Sequence, residues 1–285
     1  MTKEDREEML RDIAKFRLMD DTFFHTCLKD SPSGMEWILR VILADPELVV
    51  LEMHTQEDVP NVYGREVVFD VFVRDAKGKE YDVEVQRDNA GADPRRARAN
   101  ASLMDTMNIE KGKKWKDIPP AIVIFITEHD PLKGGKPIYH VRRTIEELDN
   151  KRFEDDAAII YVNASIQNDD TPLGLLMQDF ACKDPGMMHS KILAERARYF
   201  KSDEHGVMNM CKIMEEFAKK YAERHTVEER EKGVAIGRAA GIAEKTVRTI
   251  LNQLKRHADY EIIASDNETS VDEVIRIAKE NGLAY

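Results

Sequence analysis

The chain has 285 residues, of which 42% are hydrophobic, so it is long enough and apolar enough to bury a core. Its 54 acidic residues outnumber its 43 lysines and arginines, and the net charge of −11 argues against a protein that coats nucleic acid without specificity. Apolar runs of membrane-spanning length are absent and the first residues are charged, so we expect a cytoplasmic protein with no membrane partner.

The first elements in chain order are predicted to be helices. Composition favours a helix over residues 4–19. Asp20 or Asp21 is placed to cap a second helix that runs to about residue 29. The apolar spacing of residues 35–43 predicts a third helix.

A first strand is predicted over residues 47–54, and a hairpin follows it. The hairpin strands, residues 67–73 and 81–86, are rich in valine and aromatic residues and are joined by a polar loop that contains Gly78. A turn centred on Lys77 pairs residue 73 with residue 81 and sets residue 70 opposite residue 84.

The hairpin carries acidic side chains where a core would exclude them. Asp70 and Glu84 fall opposite each other, and the alternation of side chains places Gln86 on the same face as Glu84. Two carboxylates and an amide oxygen that converge suit a hard divalent cation such as Mg²⁺, so this is a candidate metal site. The alternative is that Asp82 and Glu84 face solvent on a half-exposed strand.

The following region alternates helix and strand. Pro94 suits the first turn of a helix that ends near Gly112. Residues 121–127 are almost continuously apolar, which is typical of a strand buried on both faces. Another strand is predicted over residues 157–163, and the chain turns helical from about residue 173. This order predicts an α/β domain with a mixed sheet and helices against it.

A basic window follows the candidate metal strand. From Arg87 to Lys116 there are eight basic residues against four acidic ones. The window is either a surface that contacts phosphates or an ordinary solvated helix face. Arg96 and Arg98 are two apart on the predicted helix and cannot both face one phosphate, and the sequence does not choose between them.

The C-terminal part is predicted to be helical. Glycines recur every four residues at Gly233, Gly237 and Gly241, which on a helix permits close approach of a second helix. We therefore consider a homo-oligomer formed through these helices, with a loosely ordered linker helix as the alternative. Ser270 and Gly282 are placed to begin and end a final helix. A helix-turn-helix regulator built on these helices is a weaker alternative, because basic residues there are few.

An acid, a hairpin and a Glu-x-Gln sequence together resemble the PD-(D/E)XK nuclease superfamily, with Gln86 where most members have lysine. The chain is more closely similar to the PD-(D/E)XK family of transposase-related, recombination-promoting nucleases, in which that glutamine is usual. The resemblance covers most of the chain and extends to the opening sequence from Asp21 to His25, with histidine replacing the more usual lysine, and to residues 96–102.

This resemblance implies a restriction-endonuclease-like core, in which helices flank a central mixed sheet, over residues 1–200. A helical C-terminal extension is expected over residues 201–285. The implied activity is metal-dependent DNA endonuclease activity, with DNA as the partner, associated with recombination or mobile elements.

The resemblance also implies roles for individual residues. Asp70 and Glu84 would hold Mg²⁺, or Mn²⁺ in its place, and Asp21 would add a carboxylate unless it only caps its helix. Gln86 has no charge and cannot deliver a proton, but it can orient water or the scissile phosphate, or offer its carbonyl oxygen to the ion. The alternative is a catalytically inactive scaffold of the same fold, in which Gln86 is a sign of lost chemistry and the protein acts through protein or DNA binding.

Overall fold

A computed structural model describes residues 10–59, 67–109, 112, 114–214, 216, 249–256 and 258–283. The chain divides into two units, residues 1–212 and residues 213–285. A hydrophobic cluster forms within each unit.

Helices open the first unit. Residues 10–15 are helical, and two longer helices follow, α1 (Asp21–Leu28) and α2 (Pro32–Leu43). Asp20 immediately precedes α1, but its side chain makes no capping hydrogen bond to the helix. Asp20 therefore occupies the predicted N-cap position, but its carboxylate accepts from the backbone N–H of Arg17 and not from the helix, while Asp21 is the first residue of α1.

Strands of the described chain form a central sheet and a small separate ribbon. The strands in chain order are β1 (Val50–Val59), β2 (Val67–Asp75), β3 (Glu80–Gln86), β4 (Ala121–Thr127), β5 (Ile138–Val141), β6 (Thr144–Ile145), β7 (Lys151–Arg152) and β8 (Ala158–Asn163). The central sheet has the order β1-β2-β3-β4-β8-β5, and β6 pairs only with β7. Strands β3, β4 and β8 are parallel to one another, whereas the other pairs are antiparallel. The predicted mixed sheet is confirmed.

The hairpin formed by β2 and β3 has the predicted register. Val73 lies opposite Tyr81, and the paired residues end with Val71 opposite Val83. The turn between the strands contains Gly78, which adopts a φ of 76° that a side chain would disfavour. The carboxyl end of β3 therefore continues beyond the paired residues, and there the Asp70 side chain accepts from the Val85 backbone N–H.

Both faces of the central sheet are covered. Helix α3 (Pro94–Asn108) packs on one face, where Met104 joins a cluster with Phe125 and Tyr161. Because side chains alternate along a strand, Ile124 and Ile126 point to the opposite face, and both are fully buried there. The near-continuous apolar run of β4 is explained by this double coverage.

Two further helices complete the labelled elements of the first unit, α4 (Pro172–Ala181) and α5 (Lys191–Ser202), and residues 204–214 are also helical. The ammonium group of Lys201 at the end of α5 donates to the backbone carbonyls of Ala14, Phe16 and Lys183. It also lies 5.2 Å from the centre of the Phe23 ring. Lys201 therefore links the end of α5 to the backbone before α1, at Ala14 and Phe16, and to the backbone after α4, at Lys183.

Asp179 joins α4 to the beginning of α5. It is buried, and its carboxylate accepts from the backbone N–H groups of His189 at 2.7 Å and Ser190 at 2.9 Å. We expect Asp179→Ala to lower the free energy of unfolding by about 2–3 kcal/mol, because two backbone donors, one of them buried, lose a charged acceptor. Urea unfolding followed by circular dichroism measures this change. The exposed Asp184→Ala, which loses one bond to the Gly186 N–H, is the control and is expected to cost less than about 1 kcal/mol.

The described part of the second unit is helical and acidic. Residues 249–254 are helical, followed by α6 (Tyr260–Asp266) and α7 (Val271–Glu280). The Ser270 hydroxyl caps α7 by accepting from the Glu273 N–H at 3.2 Å, as predicted. Residues 249–256 and 258–283 contain seven acidic residues against four basic ones, which argues against a DNA-reading surface there. The glycine-spaced segment, residues 233–241, lies outside the described residues.

No helix among the described residues combines the length and the apolar character that crossing a membrane requires.

Candidate active site

Three acidic residues occupy alternate positions of β3, and all are buried: Glu80, Asp82 and Glu84. The alternation places them on the face that α3 covers. The solvent-facing alternative for Asp82 and Glu84 is therefore wrong. Glu80 is neutralised by Arg74, whose Nη2 lies 2.7 Å from its carboxylate, and it also accepts from Asn108 at 2.7 Å.

Polar side chains on α3 meet the other two acids. Asn100 Nδ2 donates to Asp82 Oδ2 at 2.7 Å and to Glu84 Oε1 at 3.2 Å. Arg96, one helical turn earlier, forms an ion pair with Glu84 Oε2. Gln86 Nε2 donates to the same oxygen at 3.3 Å. The carboxylate of Glu84 is therefore surrounded by donors from the helix and from its own strand.

Protons are held unusually tightly by these acids. Burial raises the pKa of Asp82 to about 8, and the charge of Asp70 contributes in the same direction. Burial, followed by the charges of Asp70 and Asp82, also raises the pKa of Glu84, although Arg96 opposes this shift. Asp82 Oδ1 has no hydrogen-bond partner among the described residues. Asp70, Asp82 and Glu84 therefore lie close enough to repel one another when ionised, and the donors Arg96 and Asn100 compensate this repulsion only in part.

Asp70 lies where the pairing of β2 with β3 ends. Its Oδ2 accepts from the Val85 backbone N–H at 3.1 Å, so the carboxylate replaces a ladder partner. Its Oδ1 lies 3.6 Å from His25 Nε2 on α1, and the same nitrogen is 3.3 Å from Asp21 Oδ1. Helix α1 therefore meets both strands of the hairpin at this point, although it is distant from them in sequence.

Asp21, His25 and Asp70 can each offer a ligand atom to one cation, and these atoms lie within 4.8 Å of one another. Burial lowers the pKa of His25, but its hydrogen bond to Asp70 and the charges of Asp70 and Asp21 outweigh burial and raise the pKa overall. Burial and the charge of Asp70 raise the pKa of Asp21. Two carboxylates and an imidazole are a donor set that fits a divalent cation.

The structure thus brings two of the predicted metal ligands, Asp21 and Asp70, together with His25. Glu84 is the third predicted metal ligand. It belongs to the same charged region, because the charge of Asp70 raises the pKa of Glu84, but the Glu84 carboxylate forms an ion pair with Arg96. The two candidate DNA-contacting arginines differ in their surroundings. Arg96 points into the site, whereas Arg98 is exposed.

Gly91 shapes the position of Gln86. A Cβ atom on Gly91 would lie 2.0 Å from Gln86 Oε1, so only glycine leaves room for this side-chain position. The carbonyl oxygen of Gly91 also accepts from Arg96 Nη1 at 2.9 Å. Gly91, in the short segment after β3, therefore contributes to the positions of both Gln86 and Arg96.

An open cavity of about 460 Å³ lies just beyond β3 and β4, and it is lined by Arg87, Asp88, Asn89, Glu128 and His129. Ion pairs link two of its lining residues, Arg87 and Glu128, to each other and to neighbouring side chains. Arg87 bridges Asp20 and Glu128, each at 3.0 Å, and Arg17 contacts Glu128 at 2.8 Å. This network connects the chain before α1 to the exits of both central strands.

Sequence reasoning missed several residues of this region as site residues: His25, Asp82, Gly91 and Asn100. A signal existed for some of them. Arg96, Asn100 and Asn108 recur at multiples of four along α3, and acids recur at every second position of β3. A polar stripe on a helix and a polar face on a strand predict that the two stripes meet.

A mixed sheet flanked by helices, with Asp70 near the start of β2 and Glu84 near the end of the antiparallel β3, is consistent with a restriction-endonuclease-like α/β fold. Residues 42–171 match the model of the family described as PD-(D/E)XK nuclease family transposase. The matched segment contains Asp70, Glu84 and Gln86 but not α1. No curated protein and no solved structure matches the chain significantly.

Proposed function

We propose that the protein is a metal-dependent DNA endonuclease that hydrolyses phosphodiester bonds and acts in recombination or on mobile elements. The observation that carries the proposal is the convergence of Asp21, His25 and Asp70 beside Glu84 and Gln86. The family of the matched segment supports it. An open surface pocket lined by polar and charged groups lies just beyond the ends of β3 and β4, and its lining includes Arg87, the residue after Gln86.

Asp70 and Glu84 would hold Mg²⁺, or Mn²⁺ in its place, with Asp21 as a further oxygen ligand and His25 beside them. Such an ion stabilises the charge that develops on the phosphate and lowers the pKa of a bound water. Gln86 would orient the attacking water or the scissile phosphate by hydrogen bonds, since its amide cannot move a proton. Arg98 would contact DNA phosphates from the exposed face of α3.

The experiment that tests this proposal is nicking of supercoiled plasmid with and without Mg²⁺ or Mn²⁺. We expect nicking by the native protein only with the cation, and its loss in Glu84→Ala, with folding verified by circular dichroism. Cleavage that persists in a chelator, or in the folded Glu84→Ala variant, would contradict the proposal.

An inactive scaffold is the second candidate, and a specific observation favours it. The carboxylate of Glu84 is closed off by Arg96, and Gln86 stands where a lysine would supply charge. A scaffold would show no nicking with either cation at low salt, while still binding DNA or a second copy of the chain.

The fit of Gln86 against Gly91 gives a prediction about this site. We expect Gly91→Ala to displace the Gln86 side chain and to slow nicking about 10-fold, because the new Cβ would occupy the position of its amide oxygen. The rate of plasmid nicking measures the effect. The fold should persist, since a flexible side chain can move aside. Gly186→Ala, a glycine of a similar short helix distant in sequence from the site, is the control and should nick at the native rate.

A further inference from the structure

Arg96 is bound on three sides within the site. Its Nη2 is paired with Glu84 Oε2, its Nη1 donates to the Gly91 carbonyl at 2.9 Å, and its guanidinium lies 5.7 Å from the centre of the Phe125 ring. About a third of the Arg96 side chain is exposed, at 36%, whereas the Glu84 side chain is fully buried. The arginine can therefore reach solvent by rotating, and the glutamate cannot.

Both oxygens of Glu84 accept hydrogen bonds in this arrangement, and Oε2 accepts two. Oε2 accepts from Arg96 and from Gln86, and Oε1 accepts from Asn100. A divalent cation at Oε2 would stand within a few ångströms of the guanidinium, where two positive charges repel each other strongly in a buried setting. Arg96 and a cation are therefore alternative partners of the same oxygen, Glu84 Oε2.

We propose that Arg96 is a positioning residue that occupies Glu84 in the free protein and moves to a DNA phosphate when a strand binds, so that DNA and cation bind cooperatively. The inference rests on the proposed function, because it assigns a coupling to the same site. Glu84 keeps a positive partner throughout, which a buried carboxylate requires: Arg96 before the strand arrives and the cation afterwards.

The phosphate is a suitable second partner for Arg96. A guanidinium presents paired donors that match phosphate oxygens, and α3 begins only two residues before Arg96. The first turn of a helix favours an anion, so a phosphate drawn to Arg96 also gains from the helix terminus. DNA thus removes the group that blocks the cation, and the cation removes the group that holds Arg96 away from DNA.

Arg98 provides the matched control. It lies on the same helix two residues later, is exposed, and forms no ion pair with Glu84 in the described structure. A substitution there lowers the affinity for phosphate but leaves Glu84 unchanged. Comparing substitutions of Arg96 and Arg98 therefore separates the effect of losing a positive charge on α3 from the effect of releasing the Glu84 carboxylate.

The experiment is calorimetric titration of Ca²⁺ into the full chain, with and without a short DNA duplex. For the native protein we expect DNA to tighten Ca²⁺ binding at least about 5-fold. For Arg96→Gln we expect Ca²⁺ to bind the free protein at least about 5-fold more tightly than native, with little further effect of DNA. Arg98→Gln should show native Ca²⁺ affinity, native coupling and weaker DNA binding.

Three results decide between the possibilities. If DNA does not change the Ca²⁺ affinity of the native protein, the inference is overturned. This comparison uses only the native protein, so it does not depend on the folding of a variant. If the Arg96→Gln variant binds Ca²⁺ no more tightly than the native protein does, the inference about Arg96 is overturned but the proposed function is not. Absence of Ca²⁺ binding to native protein, with and without DNA, overturns the proposed metal dependence and the inference with it.

Discussion

Asp70→Asn is expected to lose plasmid nicking by at least about 100-fold and to be as stable as the native protein, or more stable, at pH 8. The loss corresponds to about 3 kcal/mol of transition-state stabilisation, which removal of a carboxylate that we propose to hold the metal accounts for. The stability follows from the charges around Asp70. Its carboxylate raises the pKa of Asp21, Asp82 and Glu84, so neutralising it relieves repulsion at all three, and this relief offsets the loss of its favourable interaction with the His25 imidazole.

The amide of asparagine has the shape of the carboxylate and retains an oxygen to accept the Val85 N–H, so the backbone at this point should be preserved. Glu52→Gln is the control, because Glu52 lies on β1 and its exposed pair with Arg74 is distant in sequence from the site. It should nick at the native rate. Nicking by Asp70→Asn within about 3-fold of native, or a marked loss of stability at pH 8, would contradict the argument.

Asn100→Ala is expected to lower the free energy of unfolding by about 2–4 kcal/mol. Asn100 donates to two buried carboxyl groups, on Asp82 and Glu84, and its removal leaves both short of a donor. Urea unfolding at pH 6 and at pH 9 measures the change. Ser102→Ala, an exposed substitution on the same helix, is the control and should alter stability by less than about 0.5 kcal/mol.

The destabilisation by Asn100→Ala should increase with pH. The hydrogen bond from Asn100 lowers the pKa of Asp82, which burial raises to about 8, so its loss raises that pKa further in the folded state. Below about pH 7 Asp82 holds its proton in both folded proteins, and the difference between them is constant. Above pH 8 the native carboxyl ionises first, so the variant falls further behind. A difference that is equal at pH 6 and pH 9 would show that Asp82 does not titrate in this range.

Much of the scaffold could be predicted from the sequence because its signals are local. The turn with Gly78 and the alternation on either side of it determine the register that pairs Val73 with Tyr81. Pro94 begins α3, and the apolar run of β4 requires cover on both faces. Strands β5, β6 and β7 were missed, because they contain only two to four residues each and carry no clear periodicity.

The candidate site was predictable only in part, since its geometry depends on contacts between distant segments. Asp70 and Glu84 follow from the hairpin, but the approach of His25 to Asp70 depends on how α1 packs. Arg96 and Arg98 could not be distinguished by spacing, because their environments are decided by the rotation of α3 about its axis. The stripe of α3 that faces Glu80, Asp82 and Glu84 decides that rotation.

The ammonium group of Lys201 bears on where the first unit can be cut. A fragment that stops at residue 200, the boundary suggested by sequence, would lack the side chain that binds the carbonyls of Ala14, Phe16 and Lys183. Those carbonyls would need water or another donor, and α5 would lose its attachment at its last turn. A protease-resistant fragment for crystallisation should therefore extend to residue 212, where the first unit ends.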